Sequence, residues 1–141
     1  MTLQVELVVP EGEVWSGSAE MVIAKTLDGD IGVLTGHTPV LGILAEGSVV
    51  RIRPHAADGG DEVVAAVNGG FFSVSNDRVS ILAQDAQLGD EIDTSAARAA
   101  LDRALQDAQA EAPGATGGEE PADVRYYRAL LRAAGDPADR A

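Results

Sequence analysis

Few residues in this 141-residue sequence have the types and spacing that catalysis needs. Two histidines, His37 and His55, stand 18 positions apart in polar or Gly/Pro-flanked stretches, so no H-x-x-x-H metal pair exists. Cysteine is absent, which removes disulfides, thiolate zinc sites and a cysteine nucleophile. Seven serines (16, 18, 48, 73, 75, 80 and 95) occur, and none lies in a G-x-S-x-G elbow. Lys25 follows Ala24, so the one lysine does not close a phosphate-cradling G-x-x-x-x-G-K-[ST] loop. Asp28-Gly29-Asp30 pairs two carboxylates but lacks the other oxygen ligands of a calcium loop, and it reads as a tight turn. His37 reads as a turn histidine bonded to local backbone, and Trp15 as core packing. No nucleophile with its base, metal cluster or pair of carboxylates with separated acidities is assembled, so a noncatalytic, partner-binding chain is expected.

The elements that would position any site divide near residue 90. Leu3, Val5, Leu7 and Val9 alternate with Gln4, Glu6 and Val8, the period of a half-buried strand. Met21–Lys25 reads as a strand covered on both faces, and short runs follow at 31–34, 40–44, 49–53, 63–67, 71–74 and 79–83. Turn sequences separate them, among them Glu11-Gly12, Asp28-Gly29-Asp30, Asn68-Gly69-Gly70 and Ser75-Asn76-Asp77. Residues 1–90 are therefore predicted to form an all-β sandwich or barrel. Beyond Glu91 the period changes to that of helices. Asp93-Thr94-Ser95 offers N-caps for a helix carrying Ala97, Leu101, Ala104, Leu105 and Ala108 on one face. Residues 112–118, rich in Pro and Gly, form a flexible connector, and Val124, Tyr127, Leu130, Leu131 and Ala134 stripe a second helix after Pro121. The tail from Asp136 is expected to fray. The whole is an α+β, mainly β chain: an antiparallel β-sandwich or barrel (1–90) followed by a two-helix hairpin (91–141).

Charge narrows the partners. The formal net charge is −13, which repels nucleic-acid phosphates and anionic lipid surfaces. Residues 1–90 hold four basic and 13 acidic side chains, whereas the second helix holds Arg125, Arg128 and Arg132 against Asp123 alone. Those arginines serve either to neutralise an acidic neighbour in the fold or to meet an acidic partner. No apolar run approaches the ~20 residues of a bilayer span, and the start lacks a signal peptide's basic and apolar regions, so a cytoplasmic chain without direct bilayer insertion is expected. These features alone fit a free-standing ligand-binding sandwich module with a helical oligomerisation tail as well as a subunit of a larger assembly.

Four segments decide between them. Asp28-Gly29-Asp30-Ile31-Gly32-Val33-Leu34-Thr35-Gly36-His37-Thr38-Pro39-Val40-Leu41 resembles the G-[DE]-[IL]-G-[IV]-x-x-G-H-x-P-[LV] signature of F-type ATP synthase epsilon subunits. Leu44–Ile52, Val67–Val74 and Val79–Ala86 are similar to the family's L-x-x-G-x-[VL]-x-x-[IV], V-x-G-G-[FI]-[LFV]-x-[VI] and V-T-[IV]-L-A-D-x-A strands, in order. The resemblance spans about residues 3–93. It implies a noncatalytic subunit of the rotor's central stalk, on the cytoplasmic face of the cell membrane as part of a bacterial ATP synthase. Its sandwich would dock on the gamma subunit and on the c-ring loops. By analogy Asp28, Asp30, Ile31, Gly32 and His37 in the 28–38 loop would meet the ring, and Val40, Leu41 and Leu44 the gamma subunit. The hairpin, when extended, would bring Arg125, Arg128 and Arg132 to the alpha and beta subunits of the catalytic head and restrain ATP hydrolysis. No cofactor is required. Some members bind regulatory ATP through [IL]-D-x-x-R-A; here Ile92-Asp93-Thr94-Ser95-Ala96-Ala97 matches at Asp93 and Ala97, but Ala96 replaces the arginine, leaving Arg103 and one of Arg125 or Arg128 as phosphate contacts.

Overall fold

The computed structural model describes residues 2–54, 61–111 and 120–135. His55, the 112–118 connector and the tail from Asp136 lie outside the described residues. The elements run β1 (Leu3–Val9), β2 (Gly12–Ala19), β3 (Met21–Thr26), β4 (Gly29–Leu34), β5 (Val40–Ile43), β6 (Glu46–Arg53), β7 (Val63–Ser75), β8 (Arg78–Leu88), a short 3₁₀ turn (Gly89–Glu91), α1 (Thr94–Glu111) and α2 (Ala122–Ala133).

The strands pair in the order β2-β1-β8-β7-β6-β3-β4, with β5 also on β7. All pairs are antiparallel except β1 with β8. Two layers arise because β7 serves both. Its first half pairs with β6 and its second half, Phe71–Val74, with β5, while β8 follows it throughout. The change of layer falls at Gly69 and Gly70, with φ of 72° and 116°. A Cβ on Gly70 would collide with the carbonyl oxygen of Leu82, so only glycine lets the two strands close here. Inward-pointing Leu3, Leu7, Val22, Val50, Ile52, Phe72, Val74 and Ile81 fill the space between the layers, all essentially without solvent contact. Asn76 and Asp77, with φ of 51° and 61°, make the tight β7–β8 turn that suits the twist of a hairpin.

Several local readings change. Residues 12–19 form β2, which alternation did not reveal; its register against β1 breaks between Leu7 and Val8, and Trp15 packs against the core from this edge. The runs 63–67 and 71–74 are one bent strand, because Asn68-Gly69-Gly70 stays paired with β8 through Asn68 and Gly70. Gly29 and Asp30 already belong to β4, so the turn is Leu27-Asp28, held by Thr26 Oγ1 donating to the Gly29 carbonyl at 2.7 Å. In β3, Val22 and Ala24 are buried but Lys25 is exposed, so this strand is not covered on both faces.

The helices build a second core on the outer side of β6 and β7. Asp93 Oδ1 accepts the Ala96 N–H at 3.1 Å and so caps α1. Helix α2 lies between the sheet and α1. Its buried residues are Val124, Ala129, Leu130, Leu131 and Ala133. Ala129 and Leu131 project ~200° apart around the axis, so both sides of the helix are covered. They join Ala66, Ala97, Leu101 and Ala104, with Val49, Val64 and Ile92 at the margin.

Gly70→Ala is expected to lower the urea midpoint by an amount equivalent to about 2–4 kcal/mol, since both the left-handed backbone and the carbonyl contact penalise it. Gly12→Ala is the control: its φ is 141°, but nothing lies within 4 Å of the added carbon. Equal midpoints for the two variants would show that the bend does not depend on close approach at Gly70.

Candidate interaction surfaces

The arginines of α2 come to rest on the fold itself. Arg125 pairs with Glu46 at 3.2 Å, and Arg132 Nη2 donates to the Gly47 carbonyl at 3.4 Å. Arg128 forks onto Glu120 through three bonds of 3.0–3.1 Å. Glu46 and Gly47 form the corner that opens β6, where the register against β7 shifts, and Gly47 has a φ of 64°. In this arrangement Arg125 and Arg128 neutralise acidic neighbours within the fold. Exposed pairs of this kind contribute only ~0–1 kcal/mol each.

The residues expected at the ring and gamma contacts are distributed differently from a single loop. Asp28 and Asp30 are exposed at the β3–β4 hairpin. Gly32, also exposed, sits in mid-strand beside the Met21 methyl group. Ile31 points inward and packs against the core. His37 lies beyond the opposite end of β4, its Nδ1 2.7 Å from the Thr38 carbonyl. Beside it, Gly36 N–H donates to Asp77 Oδ1 at 2.7 Å. A strand rises about 3.3 Å per residue, so roughly 20 Å of β4 separates the aspartates from the histidine. Of Val40, Leu41 and Leu44, only Leu41 is open; Val40 packs against the core and Leu44 is 1% exposed. Leu44 therefore presents nothing to a partner in this arrangement. Asp93, Ala97 and Arg103 do not converge: Asp93 caps α1, Ala97 is buried in the second core, and Arg103 projects ~120° around the helix from Ala97.

A larger surface went unread in the sequence. Ile43 stands opposite Phe71, Phe71 opposite Leu82, and Leu82 opposite Val8, a row crossing β5, β7, β8 and β1. Ile43, Phe71 and Leu82, with Leu41 two residues along β5 from Ile43, are exposed, and Val8 at the end of the row is half-buried. A cleft of about 480 Å³ lined by Val8, Pro10, Ile43, Phe71, Leu82 and Gln84 runs along them. Phe71 adjoins Phe72, and the pair looks in the sequence like core; the pleat sends them to opposite sides.

Acidities are displaced at two places among the described residues, neither part of a catalytic arrangement. Burial is the largest single influence on Glu62 and raises it, but the hydrogen bonds and charges of Arg53 and Arg51 together outweigh it and hold its carboxyl below the usual range. Burial in the second core, aided by the Asp85 charge, pushes the Tyr126 phenol up, against a hydrogen bond with Gln87. Among the described residues no helix is long and apolar enough to cross a membrane.

Comparison with known proteins places this geometry. The family model of the ATP synthase Delta/Epsilon chain β-sandwich domain matches residues 2–89. The ATP synthase epsilon chain of Thermobifida fusca is 53% identical over 94% of this chain and 91% of its own length. That of Streptomyces griseus is 47% identical over 92% and 97%. Among solved structures, a chain of the Euglena gracilis mitochondrial ATP synthase (OSCP/F1/c-ring) superposes with a TM-score of 0.66 at 20% identity, covering 99% of this chain and 81% of that one. A chain of the Tetrahymena thermophila mitochondrial ATP synthase central stalk/c-ring gives 0.53 at 17%, covering 99% and 95%. At these identities the two structures show a shared fold.

The Tyr126 environment yields a pH dependence. A phenol raised above its unfolded value of 10.0 stabilises the docked helix fully below that pH and loses this contribution as pH rises through the folded value. Amide exchange of α2 is expected to be flat from neutrality to about pH 10, after correction for intrinsic rates, and to accelerate above it. Tyr126→Phe should abolish the acceleration; its persistence in that variant would assign the effect to another group.

Proposed function

We propose, from the premise that this chain belongs to the ATP synthase Delta/Epsilon family as an epsilon chain, a noncatalytic subunit, that it couples the c-ring to the gamma subunit and that its hairpin regulates ATP hydrolysis. Family membership sets aside the reading as a free-standing ligand-binding module. The observation that carries the coupling role is the uncovered sheet face: α2 shields the outer side of β6 and β7, whereas Leu41 and Phe71 on the other layer are 75% and 53% exposed. A contiguous apolar row on a protein of net charge −13 is a docking surface rather than a solvated face. We assign it to gamma, in place of the Val40–Leu44 segment alone. The ring contact falls to the β3–β4 tip, where Asp28 and Asp30 present carboxylates to basic loop residues; His37, at the far end, is not part of it. A close-packed two-layer sandwich transmits torque without an active site. The complex brings the chain to the cytoplasmic face of the membrane.

The regulatory reading rests on how α2 is held. A 12-residue helix is marginal alone, so it is stable only when docked, on this sandwich or on the catalytic head. Arg125 and Arg132 meet Glu46 and the Gly47 carbonyl on the sandwich, contacts that give way to acidic segments of the head when α2 leaves, whereas Arg128 keeps Glu120, which travels with the helix.

Two measurements test the parts separately. Phe71→Ser/Leu82→Ser should leave the thermal midpoint of the chain within a few degrees, since both side chains are exposed, yet reduce its recovery with gamma in purified ATPase complexes several-fold. Unchanged recovery would remove the apolar face from the gamma contact. A chain lacking residues 119–141 should assemble, support ATP synthesis and raise ATP hydrolysis by the complex; hydrolysis no faster than wild type would exclude the regulatory role.

A further inference from the structure

The ion pairs at α2 are interchangeable in kind, but two other contacts beneath the helix are not. Near its N-terminal end, Gly47 is buried under the Arg125 backbone. A Cβ there would lie 2.5 Å from the Arg125 carbonyl carbon, 2.6 Å from its Cβ and 2.7 Å from its carbonyl oxygen. Near the other end, a Cβ on Gly89 would collide with the Ala133 carbonyl oxygen and stand 3.2 Å from that of Val64. Residues 125 and 133 are eight positions apart, about 12 Å of helix. Gly47 belongs to the β5–β6 corner and Gly89 to the 3₁₀ turn after β8, elements joined by no local sequence. Between them the outward side chains of the platform are small or branched: Ala66, Val49 and Val64.

We propose that Gly47 and Gly89 are positioning residues that seat α2, two points where helix main chain meets sandwich main chain with no room for any side chain. This rests on the regulatory reading only for its consequence in the complex; the seating itself is a property of the chain. The physical distinction from the arginines is one of steepness. An exposed ion pair changes the seated population by a small factor and accommodates a shift of an ångström. A backbone contact on a glycine admits no such shift, so an added methyl group must displace the helix or the corner beneath it. Two such points 12 Å apart along α2 fix both its height and its tilt on the sheet.

The two glycines differ in a way that separates causes. Gly47 has a left-handed φ of 64°, so alanine there adds backbone strain to the collision. Gly89 has no such φ, so alanine there adds the collision alone. Gly36 has a φ of 82° with nothing within 4 Å of an added Cβ, so alanine there adds strain alone.

Hydrogen exchange of the full-length chain, read by segment, tests the assignment. Gly47→Ala and Gly89→Ala should each speed exchange of the α2 amides at least tenfold while β1, β7 and β8 keep wild-type protection; Gly36→Ala should leave α2 as in wild type. Trypsin should likewise cleave at Arg125 and Arg128 sooner in the first two. The proposal is overturned if α2 protection in Gly47→Ala and Gly89→Ala matches that in Gly36→Ala. It is equally overturned if both lose protection throughout the sheet, because the glycines would then serve the sandwich and not the seat. In the assembled complex the same two variants should hydrolyse ATP more slowly than wild type. Fast α2 exchange with unchanged hydrolysis would uphold the seat and refute the regulatory reading.

Discussion

The bend at Gly69 and Gly70 is the constraint on which the other features depend. A 13-residue strand paired along its length with β8 would ordinarily extend one twisted sheet, leaving Phe72, Val74 and Ile81 without a second layer to cover them. Because Gly70 lets β7 close on Leu82, the first half of the strand turns into one layer and the second half into the other. The closed core between them follows, and so do two outer faces with opposite fates. On the β6–β7 side the outward residues are Val49, Val64 and Ala66, small enough to let a helix come near. On the β5–β7–β8 side they are Leu41, Ile43, Phe71 and Leu82, large and uncovered.

That asymmetry leaves one face covered by the chain's own helix and the other open. Helix α2 is buried on two sides, between sheet and α1, and its main chain reaches the sandwich main chain at Gly47 and Gly89. Helix α1 reaches the sheet chiefly through α2, so the hairpin docks as a unit whose first contact is α2. The apolar row on the far face stays uncovered within this chain, and the β3–β4 tip carries the exposed carboxylates of Asp28 and Asp30. A cavity of about 370 Å³ lined by Leu27, Ile43, Glu46, Gly70 and Arg125 lies where the apolar row approaches the corner that holds α2, so the two faces share a border.

How far the sequence carried the argument varies from element to element. Alternation in Leu3–Val9 placed one strand, and all three of Leu3, Val5 and Leu7 are buried as the period requires. Helical spacing placed Leu101 on the apolar face of one helix and Val124, Leu130 and Leu131 on that of another, and the four share one core. Asp93 caps its helix as its type and position predict. Alternation could not reveal β2, whose Gly-Ser-Gly stretch carries few apolar residues, nor that β7 continues through two glycines, a sequence that elsewhere ends strands. It also could not separate Phe71 from Phe72, or Leu41 from Leu44, since which side of a pleat faces the core depends on the partner layer.

The sequence by itself determined the class of the fold and membership of the family, because each depends on residue types at short, ordered spacings. Which arginines meet which carbonyls and carboxylates, which leucines are open, and why glycine stands at 47 and 89 were decided only in the tertiary structure. Gly47 and Arg125 are 78 positions apart, and nothing local in either segment encodes their contact. Their approach is the product of the bend in β7, the height of the residues on β6 and the packing of α1 over α2. A glycine read from the sequence signals only freedom of backbone; the folded chain shows that these two are there for the lack of a side chain.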